Sequence, residues 1–344
     1  MTKRIWTGVF FLLGMLSAQS QDIPMLDSLD LNQVPAGKIS RFWIPVIRNA
    51  LSQPVCVPVL VAKGAAPGPV LGLTAAIHGN ELNGIPIIQT VFDRIDPSRL
   101  KGTLIAIPGM NVPSIDLSQR LFPDEEDLNR VFPGKPDGTS SEQYSYFAFQ
   151  KIISQADYLI DLHTASFGRV NAMYVRADFR KDTLARLARL CDADILLDGK
   201  SASTANAAAG RTLREEADLH GIRTITIELG DPQVYQPEMI RRGGVSIMNI
   251  LSYLGMSDWP AETPPPAALC TRSYWIYTDE GGLLEVPVET AQRLRKGDLI
   301  GILRNPFGDV IKRYYAPEDG IVIGKSTNPA NRSGGRILHL GILK

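Results

Sequence analysis

The chain holds four histidines, His78, His163, His220 and His339, and two of them stand where chemistry is possible. In His78-Gly79-Asn80-Glu81 an imidazole and a carboxylate are three residues apart. That is nearly one helical turn, so both side chains can face one point at the start of a helix. Imidazole nitrogen and carboxylate oxygen are suitable zinc ligands, and a catalytic zinc takes three such ligands and keeps an open position for water. His163, in Asp161-Leu162-His163, supplies the third. Glu228 adds a carboxylate that can take up and return a proton. Taken singly, His163 reads as a structural histidine and Glu228 as a carboxylate capping a turn. Taken together, His78, His163 and Glu228 each follow a segment that reads as a strand, and ligands bind outside the carboxyl ends of strands in open α/β sheets.

A second group of residues runs from Arg120 to Gly134, with Arg120, Asn129 and Arg130 among many acidic neighbours. Arginine forks match carboxylates in a bidentate way. A loop of such charge density also reads as simply solvated. Asp161 precedes His163 by two residues, which on a strand puts both side chains on one face. It is either a carboxylate that orients a metal-bound imidazole or a capping residue.

The elements that position these residues alternate. Pro69 to Ile77 reads as a buried strand ending at His78, followed by helical spacing from Ile85 to Ile95. Thr103 to Ile107 and Tyr158 to Ile160 read as strands, with helical spacing from Tyr144 to Ser154 and Thr183 to Leu190. Arg223 to Ile227 is a β-branched strand ending at Glu228, and Gly243 to Leu254 a closing helix. Such alternation predicts an α/β fold, a mostly parallel mixed sheet covered by helices. A Pro-rich linker at 259–266 separates a body of 24–258 from a tail of 267–344, whose short apolar runs punctuated by glycine predict a small all-β domain.

In this order, His78-Gly79-Asn80-Glu81-x-x-Gly84, Asp127-Leu128-Asn129-Arg130, Asp161-Leu162-His163 and Glu228-Leu229-Gly230 resemble the succinylglutamate desuccinylase/aspartoacylase family, related to zinc carboxypeptidases. The resemblance runs from about residue 40 to the C-terminus. It implies that His78, Glu81 and His163 bind one zinc ion and that Glu228 is the general base. It implies that Asn129 and Arg130 grip a substrate carboxylate, that Arg120 polarises the scissile carbonyl, and that Arg214, in Thr212-Leu213-Arg214, is a further carboxylate-binding arginine. It also implies a C-terminal β domain that helps to close the active site. Part of the tail, Ala316 to Val322, resembles a lipoyl or biotinyl-carrier sandwich, but no Met-Lys-Met occurs, so a carrier role is not expected.

Composition narrows the partners. Lys+Arg and Asp+Glu are 36 each, giving a net charge near zero, so neither nucleic acid nor an anionic membrane is an expected partner. Cys56, Cys191 and Cys270 are odd in number, far apart and without a Cys-x-x-Cys pair, which argues for free thiols or at most one bridge. The first twenty residues have Lys3 and Arg4, an apolar run from Ile5 to Leu16, then Ser17-Ala18-Gln19-Ser20. That is the order of a secretory signal cleaved near Ser20, with an uncleaved N-terminal anchor as the alternative, although the run is too short to span a bilayer comfortably. The expectation is a zinc-dependent amidohydrolase of the deacylase type, exported to the periplasm, acting on a small N-acyl amino acid. Two alternatives remain open: an exported metallocarboxypeptidase or cell-wall peptide hydrolase, which export favours, and a non-catalytic binding protein that keeps the fold. His220 and His339 carry no assigned role.

Overall fold

The structure is a computed structural model that describes residues 23–199 and 210–344; the signal-like segment of residues 1–20 lies outside them. A hairpin of β1 (Lys38–Arg48) and β2 (Pro54–Lys63) opens the chain. Then come β3 (Ala66–Ala75), α1 (Gly84–Arg94), β4 (Lys101–Ile107), α2 (Val112–Asp116) and α3 (Ser140–Lys151). β5 (Tyr158–His163), β6 (Arg169–Asn171), β7 (Tyr174–Ala177), α4 (Asp182–Arg189) and β8 (Ile195–Asp198) follow. α5 (Leu213–Leu219), β9 (Arg223–Glu228) and α6 (Pro237–Tyr253) complete the body. The tail contributes β10 (Ala268–Tyr277), β11 (Gly282–Glu285), β12 (Arg293–Leu294), β13 (Leu299–Arg304), β14 (Val310–Tyr315), β15 (Gly320–Ser326), β16 (Ala330–Asn331) and β17 (Arg336–Leu343).

Among the described residues, thirteen strands make one mixed sheet in the order β1-β2-β4-β3-β5-β9-β7-β8-β10-β17-β15-β12, with β6 paired to β15. Its centre, β4-β3-β5-β9, is parallel. Helices cover both faces, as buried parallel strands require. On one face α1, α4 and α6 bury Ile87, Val91, Leu187, Ile247 and Leu251 against Leu71, Leu73, Ile160 and Ile225. On the other, α3 and α5 bury Tyr144, Phe149, Leu213 and Ala217 against Val59, Val61, Ile105 and Leu159. α3 and α5 both begin with capping boxes, Thr139 with Glu142 and Thr212 with Glu215, which satisfy first-turn N–H groups. The remaining tail strands form a separate antiparallel sheet, β14-β13-β11-β16. The expected α/β class with a small C-terminal all-β unit is thus present.

Three local expectations change. β3 ends at Ala75, so His78 lies beyond the strand in a turn in which the Glu81 N–H donates to the His78 carbonyl at 3.1 Å. The three-residue spacing works through that turn and not through a helix, which starts only at Gly84. α6 begins six residues earlier than its apolar pattern, at Pro237, because Gly243-Gly244 does not break it: a Cβ at Gly243 would meet the Ile87 side chain at 2.3 Å, so glycine lets α6 approach α1. The β1–β2 hairpin escapes the strand–helix alternation altogether. The cysteines carry no bridge; Cys191 and Cys270 are buried and Cys56 partly so. Among the described residues no helix is long and apolar enough to cross a membrane.

Candidate active site

The site lies at the carboxyl ends of β3, β5 and β9. His163 is the last residue of β5 and Glu228 the last of β9, and the two are direct partners in the parallel register. The turn after β3 brings His78 and Glu81 alongside. Their donor atoms converge: Glu81 Oε1 is 2.9 Å from His78 Nδ1, and Glu81 Oε2 is 2.9 Å from His163 Nδ1. All three residues are buried, and their ligand atoms lie within 4.8 Å of one another, so the group could hold a metal ion.

The far side of each imidazole is fixed by a carboxylate. His78 Nε2 is 3.0 Å from Asp127 Oδ1, and His163 Nε2 is 2.7 Å from Asp161 Oδ2. Asp161 is itself held by the Thr74 hydroxyl, which donates to Oδ1 at 2.7 Å. An imidazole whose outer nitrogen donates to a carboxylate presents its other nitrogen as a lone pair, the form a metal needs. Burial opposes charge on His163, yet Asp161 and Glu81 outweigh it and hold its pKa well above the ordinary value. Burial also opposes the Glu81 carboxylate, and the two imidazoles outweigh that and hold its pKa well below the usual range. Metal ligation needs the neutral imidazole, so a bound cation would displace the proton that this field favours on His163; two imidazoles oriented from behind and a carboxylate held ionised between them fit such a cation.

The ligand set His78, Glu81 and His163 shares one cavity of about 840 Å³ with Glu228, Arg120, Asn129, Arg130 and Arg214, while Asp161 lies behind His163. Arg120 reaches the ligand group, with Nη1 donating to Glu81 Oε1 at 3.0 Å and Nη2 to Asp127 Oδ2 at 2.8 Å. The charged loop is thus partly turned inward. Asn129 and Arg130 line the cavity from a short 3₁₀ turn, and Arg214 from α5. Asn129 also supports the fold, since its Oδ1 accepts the Leu213 N–H at 2.7 Å at the start of α5. Glu228 Oε2 accepts from Asn171 Nδ2 at 3.2 Å. Burial pushes the Glu228 pKa up, the nearby Glu81 adds to this, and His163 and Arg176 pull back.

Several lining residues carried no sequence signal. Arg169 and Asn171 come from β6, Tyr174 and Arg176 from β7, and Trp275, Arg336 and His339 from the tail. The two-residue spacing within each pair, Arg169 with Asn171 and Tyr174 with Arg176, is that of one face of a strand. The strands are only three and four residues long, too short to show alternation. His339 is not a surface histidine: it is buried, stacked on Trp275 at 5.0 Å with 11° between the rings, and its Nε2 is 2.8 Å from the Ser273 hydroxyl. His220 stays outside the cavity, its Nδ1 3.0 Å from the Glu216 carbonyl and its ring against Phe149.

Comparison with known proteins gives a consistent result. Residues 67–254 match the family model described as the succinylglutamate desuccinylase/aspartoacylase catalytic domain. The N-alpha-acetyl-L-2,4-diaminobutyric acid deacetylase of Halomonas elongata is 26% identical over 282 residues, 79% of this chain and 81% of that protein. The succinylglutamate desuccinylase of Pseudomonas paraeruginosa is 32% identical over 174 residues, 46% of this chain and 49% of that protein. Among solved structures, a succinylglutamate desuccinylase/aspartoacylase from Rhodobacter sphaeroides superposes with a TM-score of 0.81 at 24% identity, covering 92% of this chain and 99% of that one. The product-bound ectoine utilization protein EutE of Ruegeria pomeroyi gives 0.79 at 21% identity, covering 90% and 97%. These structural likenesses establish the shared fold.

Proposed function

Because the chain belongs to the succinylglutamate desuccinylase/aspartoacylase family, we propose that it is an exported zinc-dependent amidohydrolase that cleaves the amide bond of an N-acyl amino acid. The observation that carries the reading is the buried convergence of His78 Nδ1, His163 Nδ1 and the Glu81 carboxylate beside Glu228. The names of the two sequence relatives, a deacetylase and a desuccinylase, support amide hydrolysis.

His78, Glu81 and His163 would hold zinc. Zinc so held supplies a Lewis acid and lowers the pKa of water toward ~7. Asp127 and Asp161 keep both Nδ1 atoms turned inward. Glu228 takes a proton from the attacking water and delivers it to the leaving nitrogen as the C–N bond breaks and the new C–O bond forms. Arg120 donates to the carbonyl oxygen as it gains charge, a contribution of about 3 kcal/mol for one positioned donor. Arg130 and Arg214 hold the substrate carboxylate, with the Asn129 amide beside them.

The test is metal content and turnover together. The purified protein is expected to hold about one zinc per chain and to lose it in His78→Ala/His163→Ala. Glu228→Gln is expected to keep the metal and lower kcat by about 10²-fold or more. Near-full turnover in Glu228→Gln removes the base assignment, and no stoichiometric metal after zinc is supplied removes the reaction. The cavity volume favours a second reading enough to include it in the assay. At about 840 Å³ it lies high in the range of roughly 300–1,000 Å³ for small-molecule sites, which also admits a short peptide. Faster release from peptide C-termini than from N-acyl amino acids selects a carboxypeptidase or cell-wall peptide hydrolase.

A further inference from the structure

The lining of the cavity is rich in charge, with Arg120, Arg130, Arg169, Arg176, Arg214 and Arg336 all facing it. Its mouth is different. After β5 the chain turns, with the Arg169 N–H donating to the Ser166 carbonyl at 3.1 Å and Gly168 at φ +74°, a conformation that favours glycine. Ser166 and Arg169, at the two ends of the turn, line the cavity, whereas Phe167 at its tip is 71% exposed. The turn is held from three sides. The Ala165 N–H donates to the Gly230 carbonyl at 2.8 Å, the Thr327 N–H to the Gly168 carbonyl at 2.9 Å, and Asn80 Nδ2 to Ser166 Oγ at 3.3 Å. The Asn80 carbonyl in turn accepts the Gln233 N–H at 2.9 Å. Gln233 sits at φ +59°, an uncommon conformation for a residue with a side chain, and strain of this kind gathers at ligand sites. The next two residues, Val234 and Tyr235, are 44% and 57% exposed, and the Gln236 N–H closes the loop on Asn83 Oδ1 at 3.0 Å. Two fixed turns, joined through Asn80 between His78 and Glu81, thus hold three apolar side chains out to solvent. Burial within the fold does not account for them, and such surface marks a place of contact. Because Phe167 stands between two residues that line the cavity, the molecule bound in the cavity is the one that reaches it.

We propose that Phe167, Val234 and Tyr235 form an apolar rim for the part of the substrate that projects from the cavity, and that the substrate is an amphiphile. Its amide and carboxylate lie inside among the arginines, and a hydrocarbon chain lies across the mouth. The inference rests on the reading of the protein as an N-acyl amino acid hydrolase and narrows that class to members with a long apolar chain. Such a chain has no polar group to satisfy and gains by leaving water for the faces of Phe167 and Tyr235. It belongs either to the acyl group or to the amino-acid side chain; both present the same hydrocarbon to the rim.

Two long compounds and one short reference separate these sources: N-octanoylalanine and N-acetyl-α-octylglycine against N-acetylalanine. Affinities are measured by calorimetry on zinc-loaded Glu228→Gln protein, below the concentration at which each compound aggregates, so that binding is read without turnover. One long compound is expected to bind at least about tenfold more tightly than N-acetylalanine, as burial of a hydrocarbon chain against aromatic faces allows. The compound that shows the preference identifies the source. Phe167→Ala/Tyr235→Ala is expected to abolish the preference while leaving N-acetylalanine within about twofold, and Phe167→Leu to retain most of it. Equal affinities for all three compounds, or a preference that survives the double alanine substitution, overturns the rim. Loss of affinity for short and long compounds alike also overturns it, because that marks a structural role. If the wild-type protein hydrolyses none of the three compounds but the rim-dependent preference stands, the hydrolase reading fails and the rim remains.

Discussion

Glu228 is the residue whose surroundings bear most directly on the proposed reaction. Burial raises its pKa, and Arg176 is one of the groups that limit the rise. The free enzyme needs Glu228 ionised, so the acid limb of kcat/KM is expected above the ordinary glutamate value of ~4.3. Removing the cation in Arg176→Gln disfavours the carboxylate, and the limb is expected to move to higher pH. A pH profile of kcat/KM for both proteins checks the sign; an unchanged or lowered limb separates Arg176 from Glu228. At this scale the sequence was informative wherever function demands an unusual residue type at short spacing. His78 with Glu81, and Asp161 with His163, lie three and two positions apart; both pairs meet, the second on one face of β5 and the first through a turn rather than the expected helix. Asp127 was visible only as part of a motif. Its contact with His78 joins residues 49 positions apart, and nothing local specifies such a contact.

The elements explain what remained hidden. Buried strands such as β3 and β9 announce themselves, β3 through its apolar run and β9 through the β-branched Thr224-Ile225-Thr226-Ile227, and α1 through its periodic stripe. β6 and β7 are too brief for a pattern, yet they deliver Asn171, Arg176 and Tyr174 to the cavity. β6 depends on its partner: a Cβ at Gly324 in β15 would lie 2.2 Å from Asn171 Oδ1 and 2.8 Å from the Val170 carbonyl. Glycine there leaves room for the side chain that donates to Glu228. Gly324→Ala is therefore expected to displace Asn171 at a cost of about 1–3 kcal/mol in stability. It is also expected to lower kcat more than it raises KM. Asn171→Ala is expected to reproduce the kinetic change without the loss of stability. Thermal unfolding and steady-state kinetics on the two variants decide this; a Gly324→Ala protein with wild-type kcat would show that the close approach serves packing alone.

At the scale of the molecule, the main sheet does not stop at the Pro-rich segment. β10 pairs in parallel with β8, and β17, β15 and β12 extend the same sheet into the tail. Tyr174, Ile195 and Leu197 from the body share a core with Cys270, Ile321 and Ile323 from the tail. The glycine-punctuated runs of the tail indicate strands, but the partner of an edge strand is a long-range choice that local pattern does not encode. His339 stands at this seam, facing Tyr174 and Arg176 on β7, Arg169 on β6, and Trp275 and Arg336 in the tail. Burial and the three arginines hold its folded-state pKa near about 3, whereas the unfolded chain protonates it near ~6.5. Below ~6.5 the unfolded state therefore takes up a proton that the folded state refuses, and the stability His339 contributes is complete above that pH and lost as the pH falls toward 3. One proton over the interval from pH 7 to 5 corresponds to at most about 2 kcal/mol. His339→Gln removes the titration while keeping a polar group near Ser273, so its stability is expected to fall less than that of the wild type over the same interval. Denaturant unfolding of both proteins at pH 7 and pH 5 measures the difference. Equal losses would mean that the imidazole takes up its proton in the folded state despite three arginines, which an acidic group bound at the tail side of the cavity would permit.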